Sequence, residues 1–187
     1  MKILKNIRPI IERELQAIIS KRGKKTMKPD NSYVSEGDLH MDKLVADFVK
    51  ENYTSVQLVS EESSKIHDID LSLSEYVITV DPIDGTENFV SGLKEWGIGI
   101  SVYRNGKHYE SMLGLPELKE YIFTGEKIER FESRIHGLSS SLTKEELVKI
   151  EEGFEYRIIG CCMYNMAQVV KGSYEKFFNP KGAHSWD

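Results

Sequence analysis

Asp81 and Asp84 stand in the run Val80-Asp81-Pro82-Ile83-Asp84-Gly85-Thr86-Glu87-Asn88-Phe89. Before them, Tyr76 to Val80 is apolar and β-branched, which predicts a strand that delivers Asp81 at its carboxyl end. Pro82 fixes the backbone. The spacing to Asp84 lets both carboxylates turn to one point, Gly85 permits a tight turn, and Thr86 opens an expected helix. Two carboxylates and a backbone carbonyl are hard oxygen donors of the kind that hold magnesium. Amides at a helix start beside them suit a phosphate. A bare Asp-x-x-Asp-Gly spacing also suits an ordinary turn, so the spacing alone leaves both readings open.

The elements that must position this segment are legible around it. Ile3, Ile7, Ile10, Ile11, Leu15, Ile18 and Ile19 recur at helical spacing, which predicts an amphipathic first helix, with Pro9 in its first turn or at a kink. Arg22 to Asn31 reads as a basic loop. Ser35 with Asp38 resembles a capping box, and Leu44, Val45, Phe48 and Val49 give the helix behind it one apolar face. Strands are expected at Val56 to Val59, Gly97 to Tyr103, His108 to Leu113 and Tyr121 to Thr124, with a hairpin at Asn105-Gly106. Gly125 to Gly153 is polar, with one helix opened by Thr143 and a second capping box at Glu146. Arg157 to Ile159 is an expected strand, Met163 to Val170 a helix and Tyr174 to Phe178 a last strand. The pattern is that of a layered α/β (α+β) protein. The change of pattern near residue 155 suggests an N-terminal α+β domain over 1–155 and a second α/β domain beginning over 156–187.

With 187 residues and a net charge of −5, the chain lacks the basic balance of a protein that grips a nucleic-acid polymer. Acidity does not exclude a phosphorylated substrate, because bound cations reverse the local field. Cys161 and Cys162 are adjacent and read as reduced thiols in a cytoplasmic protein. The apolar residues of the N-terminus are broken up by Lys5, Arg8, Glu12, Arg13 and Glu14, so no secretory leader is expected. No apolar run is long enough to cross a bilayer.

The string from Asp81 to Phe89 closely resembles the Asp-Pro-Ile/Leu-Asp-Gly-Thr-x-Asn-Phe signature of the inositol monophosphatase superfamily. Ser60-Glu61-Glu62-Ser63 resembles that family's Glu-Glu-Ser motif, and Val34-Ser35-Glu36-Gly37-Asp38 its Val-Thr-x-x-Asp segment. Trp186-Asp187 resembles its Trp-Asp pair. The four motifs come in the family's order, so the resemblance runs from about Lys28 to the last residue. It implies a layered αβαβα sugar-phosphatase fold and magnesium-dependent hydrolysis of a small phosphate monoester, with two magnesium ions and often a third.

Carried over residue by residue, the resemblance assigns Glu61, Asp81 and the Ile83 carbonyl to one metal. It assigns Asp81, Asp84 and Asp187 to the other. Asp38 and the Thr86 hydroxyl would take the proton of the attacking water, and the amides of Gly85 and Thr86 would grip the phosphate. A homodimer and sensitivity to lithium are implied as well. Glu62 fits a ligand neighbour or a solvated charge. Lys28 lies near where the family can place a basic residue, and fits a plain surface lysine too.

Two departures bear on function. Relatives continue past the Trp-Asp pair, so the second domain is expected to be incomplete at Asp187. In addition, Phe178-Asn179-Pro180-Lys181-Gly182-Ala183-His184 has no carboxylate where inositol-specific relatives carry one. Inositol monophosphate is thus one substrate among several, with Lys181 and His184 as candidate rim residues. A fructose-1,6-bisphosphatase-like or 3'-phosphoadenosine 5'-phosphate phosphatase activity shares the same metal core. A non-catalytic homologue or inactive fragment is the alternative of another class.

Overall fold

The computed structural model describes residues 4–29, 31–62 and 74–182. A five-stranded sheet forms its centre, in the order β3-β4-β5-β6-β7. Its strands are β3 (Val56–Ser60), β4 (Tyr76–Asp84), β5 (Gly97–Arg104), β6 (Lys107–Leu115) and β7 (Glu120–Phe123). β3 runs parallel to β4, and every other pair is antiparallel. Asn105 and Gly106 turn the β5–β6 hairpin with φ of 50° and 73°, the two positive angles that a tight primed turn requires.

Helix α2 (Glu36–Asn52) lies against β3 and β4 of this sheet, and α1 (Arg8–Ile19) packs on α2. Ile7, Ile11, Ile18, Met41, Val45, Phe48 and Val49 are buried with Ile78, Val80, Ile98, Ile100 and Val102 in one core. The helical residues recur at steps of three, four or seven, with Val49 beside Phe48, and the strand residues two apart, which fits a helix face and a sheet face. Pro9 falls in the first turn of α1, where its missing N–H costs nothing.

A second sheet, β10-β8-β9, is parallel throughout. It comprises β8 (Ile135–Leu138), β9 (Glu155–Ile158) and β10 (Lys176–Phe178), and α5 (Cys162–Val170) joins β9 to β10. The short α4 (Lys144–Leu147) begins at Thr143 with the expected capping box. The architecture is the expected layered α/β arrangement. The chain passes from one sheet to the other between β7 and β8, ahead of residue 155.

Three strands lie where loop or unassigned chain was expected. Lys25–Met27 (β1) pairs with Tyr33–Ser35 (β2), and all three residues of β1 are exposed. With no buried face, such a strand shows no apolar alternation. β8 is the third, and its His136 and Gly137 are buried polar and small residues that carry no strand signal. Among the described residues no helix is long and apolar enough to cross a membrane.

Candidate functional site

The site is built where β4 ends. Asp81 pairs with Gly99 and Asp84 with Gly97, so three steps of β4 oppose two of β5. This is a β-bulge over Pro82-Ile83, and bulges re-aim side chains at strand ends. Pro82 suits that position, since it has no N–H to give the ladder. Asp81 is 2% exposed. Glu61, one residue past β3, donates its N–H to Val80 O at 3.1 Å, which sets the Glu-Glu segment beside the end of β4.

Gly85 follows with φ +79°, and a Cβ there would lie 2.8 Å from Cys161 Cβ. Both the left-handed backbone and the close approach call for glycine. Helix α3 (Thr86–Val90) then begins. Thr86 Oγ1 lies 3.0 Å from Ile83 O and 3.2 Å from Asp38 Oδ1. The expected proton-handling pair, Asp38 and Thr86, is therefore in contact across 48 positions of sequence.

Asp38 reaches this place through the capping box of α2. Its Oδ2 accepts from Ser35 N at 2.8 Å and from Ser35 Oγ at 2.5 Å. Ser35 Oγ in turn accepts from the amides of Gly37 and Asp38. Gly37 lets α3 close on α2, for a Cβ there would sit 2.6 Å from Phe89 Cε1. Burial raises the Asp38 carboxyl above the usual aspartate value, against the hydrogen bonds from Ser35 and Thr86 that lower it. It combines a structural and a candidate catalytic role in one carboxylate, one oxygen to each.

Asp84 turns toward the second sheet. Its Oδ2 accepts from Met163 N at 2.5 Å and from Cys161 Sγ at 3.0 Å. Cys161 caps α5, with Sγ accepting from Tyr164 N at 3.2 Å. Burial, and then the nearby charge of Asp84, push the Cys161 thiol well up. Neither cysteine is in a disulfide among the described residues. Asn88 ties the same region together, donating through Nδ2 to Glu95 O and Ile159 O, each at 2.7 Å.

Lys28 brings its ammonium to both glutamates of the Glu-Glu segment, 3.1 Å from Glu61 Oε1 and 2.8 Å from Glu62 Oε1. Burial pulls Lys28 down, but the hydrogen bond to Glu62 and the charge of Glu61 outweigh it and leave its pKa raised. Glu62 is 6% exposed against 33% for Glu61, so it is no solvated surface charge. Its carboxyl is raised by burial and held back by Lys28. Among the described residues no three histidine, cysteine, aspartate or glutamate side chains gather into a ready ion cage. The expected donor set also draws on the Ile83 carbonyl and on Asp187.

Asp187 and the rim candidate His184 lie outside the described residues. Lys181, the other rim candidate, lies near enough to Glu146 at the start of α4 to lower that carboxyl. Two residues of the site were not singled out by sequence, Asn88 and Cys161, while Glu62 was weighed as a ligand neighbour or a solvated charge. Asn88 and Glu62 belong to matched motifs, which is a usable signal. Cys161 carries none, because its partner lies 77 positions away.

A layered α/β protein of this architecture has known counterparts. The sequence profile of the inositol monophosphatase family matches residues 1–148, and the chain belongs to that family. It is 24% identical over 183 residues to the uncharacterized protein y4fL of Sinorhizobium fredii, covering 86% of this chain and 62% of that one. It is 29% identical over 133 residues to the inositol-1-monophosphatase of Bacillus subtilis, covering 67% and 47% respectively. The chain thus spans less than two thirds of either relative. Its fold is similar to that of a calcium-bound IMPase family protein from Staphylococcus aureus. That match has a TM-score of 0.72 at 21% identity and covers 90% of this chain and 70% of that one.

Proposed function

We propose that this chain carries the metal-binding part of a magnesium-dependent phosphomonoesterase acting on a small sugar or polyol phosphate. The observation that supports this most is the Thr86 hydroxyl, which touches both the Asp38 carboxylate and the Ile83 carbonyl at the β4 bulge. The available donors are all oxygens: Glu61, Asp81, Asp84 and the Ile83 carbonyl, with Asp187 to complete them. That chemistry fits a hard divalent cation. When bound, the cation would lower the pKa of a coordinated water and offset charge on the leaving oxygen.

The protein's own residues do the rest. Thr86 Oγ1 accepts a proton from the attacking water and passes its own to Asp38 Oδ1. The raised Asp38 carboxyl is the better base for it. The amides of Gly85 and Thr86 donate to the phosphate oxygens and hold the phosphorus for in-line attack. The new bond joins phosphorus to the water oxygen, and the bond to the ester oxygen breaks. A homodimer and inhibition by lithium belong to the same reading.

The test is phosphate release from inositol 1-phosphate, fructose 1,6-bisphosphate and 3'-phosphoadenosine 5'-phosphate, with and without magnesium. Release that needs magnesium and is lost in Asp84→Asn supports the proposal, and the preferred ester names the substrate class. Release that persists in Asp84→Asn or without magnesium contradicts it.

A further inference from the structure

We infer that Cys161 is a positioning residue for Asp84, acting through the first turn of α5; the inference rests on the proposed role of Asp84 as a metal ligand. Two donors converge on Asp84 Oδ2, Cys161 Sγ at 3.0 Å and Met163 N at 2.5 Å. Both come from the start of one nine-residue helix. Cys161 holds that start in place, because its sulfur accepts from Tyr164 N at 3.2 Å while its backbone is extended, with φ −134° and ψ 120°. One sulfur thus accepts from the helix and donates to the acid.

The contact is also steric. Cys161 packs on Gly85, where a built Cβ would meet its own at 2.8 Å, and its sulfur lies 3.6 Å from Asp84 O. The side chain therefore touches the Asp84 carboxylate, the Asp84 carbonyl and the next residue. Asp84 lies on the central sheet and α5 belongs to the second, so Cys161 sets the carboxylate's orientation from the second sheet's side. A small side chain that both donates and accepts is required; serine meets both conditions and alanine neither.

The experiment compares the full chain with Cys161→Ala and Cys161→Ser. The readouts are magnesium-dependent kcat and KM, thermal midpoint, and the infrared S–H stretch of Cys161, isolated as the difference between wild type and Cys161→Ser. In Cys161→Ala, kcat should fall about 10- to 100-fold, the usual cost of losing a partner that orients a metal ligand, with KM unchanged. Cys161→Ser should restore it. The S–H band should move to higher frequency in Asp84→Ala, where the acceptor is gone. A Cys161→Ala variant that loses thermal stability but keeps kcat would reduce Cys161 to a helix cap and overturn the inference. So would an S–H band that Asp84→Ala leaves in place. If the wild-type chain hydrolyses none of the esters, the proposed function fails by itself, and the infrared shift still decides whether Cys161 holds Asp84.

Discussion

Two helices of this protein open with the same device, and the two ends differ in burial and in what meets the acid. At the start of α2, Ser35 and Asp38 exchange backbone and side-chain hydrogen bonds; at the start of α4, Thr143 and Glu146 do the same. Ser35 and Asp38 are each 1% exposed, and Asp38 spends its second oxygen on Thr86. The Thr143–Glu146 bonds lie at the surface. Their carboxyl pKa values move in opposite directions. Burial raises Asp38, while the Thr143 N–H, followed by Lys181 and Lys149, lowers Glu146. A capping box fixes where a helix starts; whether its acid can also do chemistry depends on what the fold brings to its free side.

Substitutions sharpen this contrast. The largest effect is expected at Asp38, where Asp38→Asn should cut magnesium-dependent turnover by about 10²- to 10⁴-fold, the usual worth of a positioned base. Glu146→Gln should leave turnover unchanged in the same phosphate-release assay. Next comes Gly37→Ala, whose methyl would meet the Phe89 ring at 2.6 Å and should cost about 1–3 kcal/mol in urea unfolding, as overpacking does. Glu145→Ala, at the matching place in the exposed box, should stay within about 0.5 kcal/mol.

Cap removal follows in size. Ser35→Ala should cost about 2 kcal/mol, the upper end for a lost cap, since it also strips a donor from buried Asp38; Thr143→Ala should cost about 0.5 kcal/mol. Chemical denaturation of the two variants checks the difference. The smallest effect concerns acid pH. Glu146 is depressed below the usual glutamate value of 4.5, so its contribution is present above that value and lost as pH falls through the folded-state pKa. Glu146→Gln should therefore lose slightly less stability than wild type when the pH is taken from neutral to below 4.5.

Sequence carried the local pieces of both the fold and the candidate site. Both capping boxes, the strand into Asp81, the helix from Thr86 and the Asn105-Gly106 turn are written in residues close along the chain, where local chemistry decides conformation. The contacts that join them are not. Lys28 fits a plain surface lysine as well as a basic residue near the site until β3 brings Glu61 and Glu62 to it, and Cys161 reads only as a reduced thiol until α5 turns it onto Asp84. β1 and β8 were missed for a related reason. β1 has no buried face, and β8 owes its place to parallel neighbours at Glu155–Ile158 and Lys176–Phe178, contacts that no short window contains.

In the proposed mechanism Asp38 serves chemistry, whereas Glu146 serves only its helix. The most direct measurement is the magnesium-dependent turnover and thermal midpoint of Asp38→Asn beside Glu146→Gln in one preparation. Turnover should collapse in Asp38→Asn alone, with both variants still folded and melting near wild type. Turnover retained in Asp38→Asn, or lost only in step with its unfolding, would contradict that mechanism.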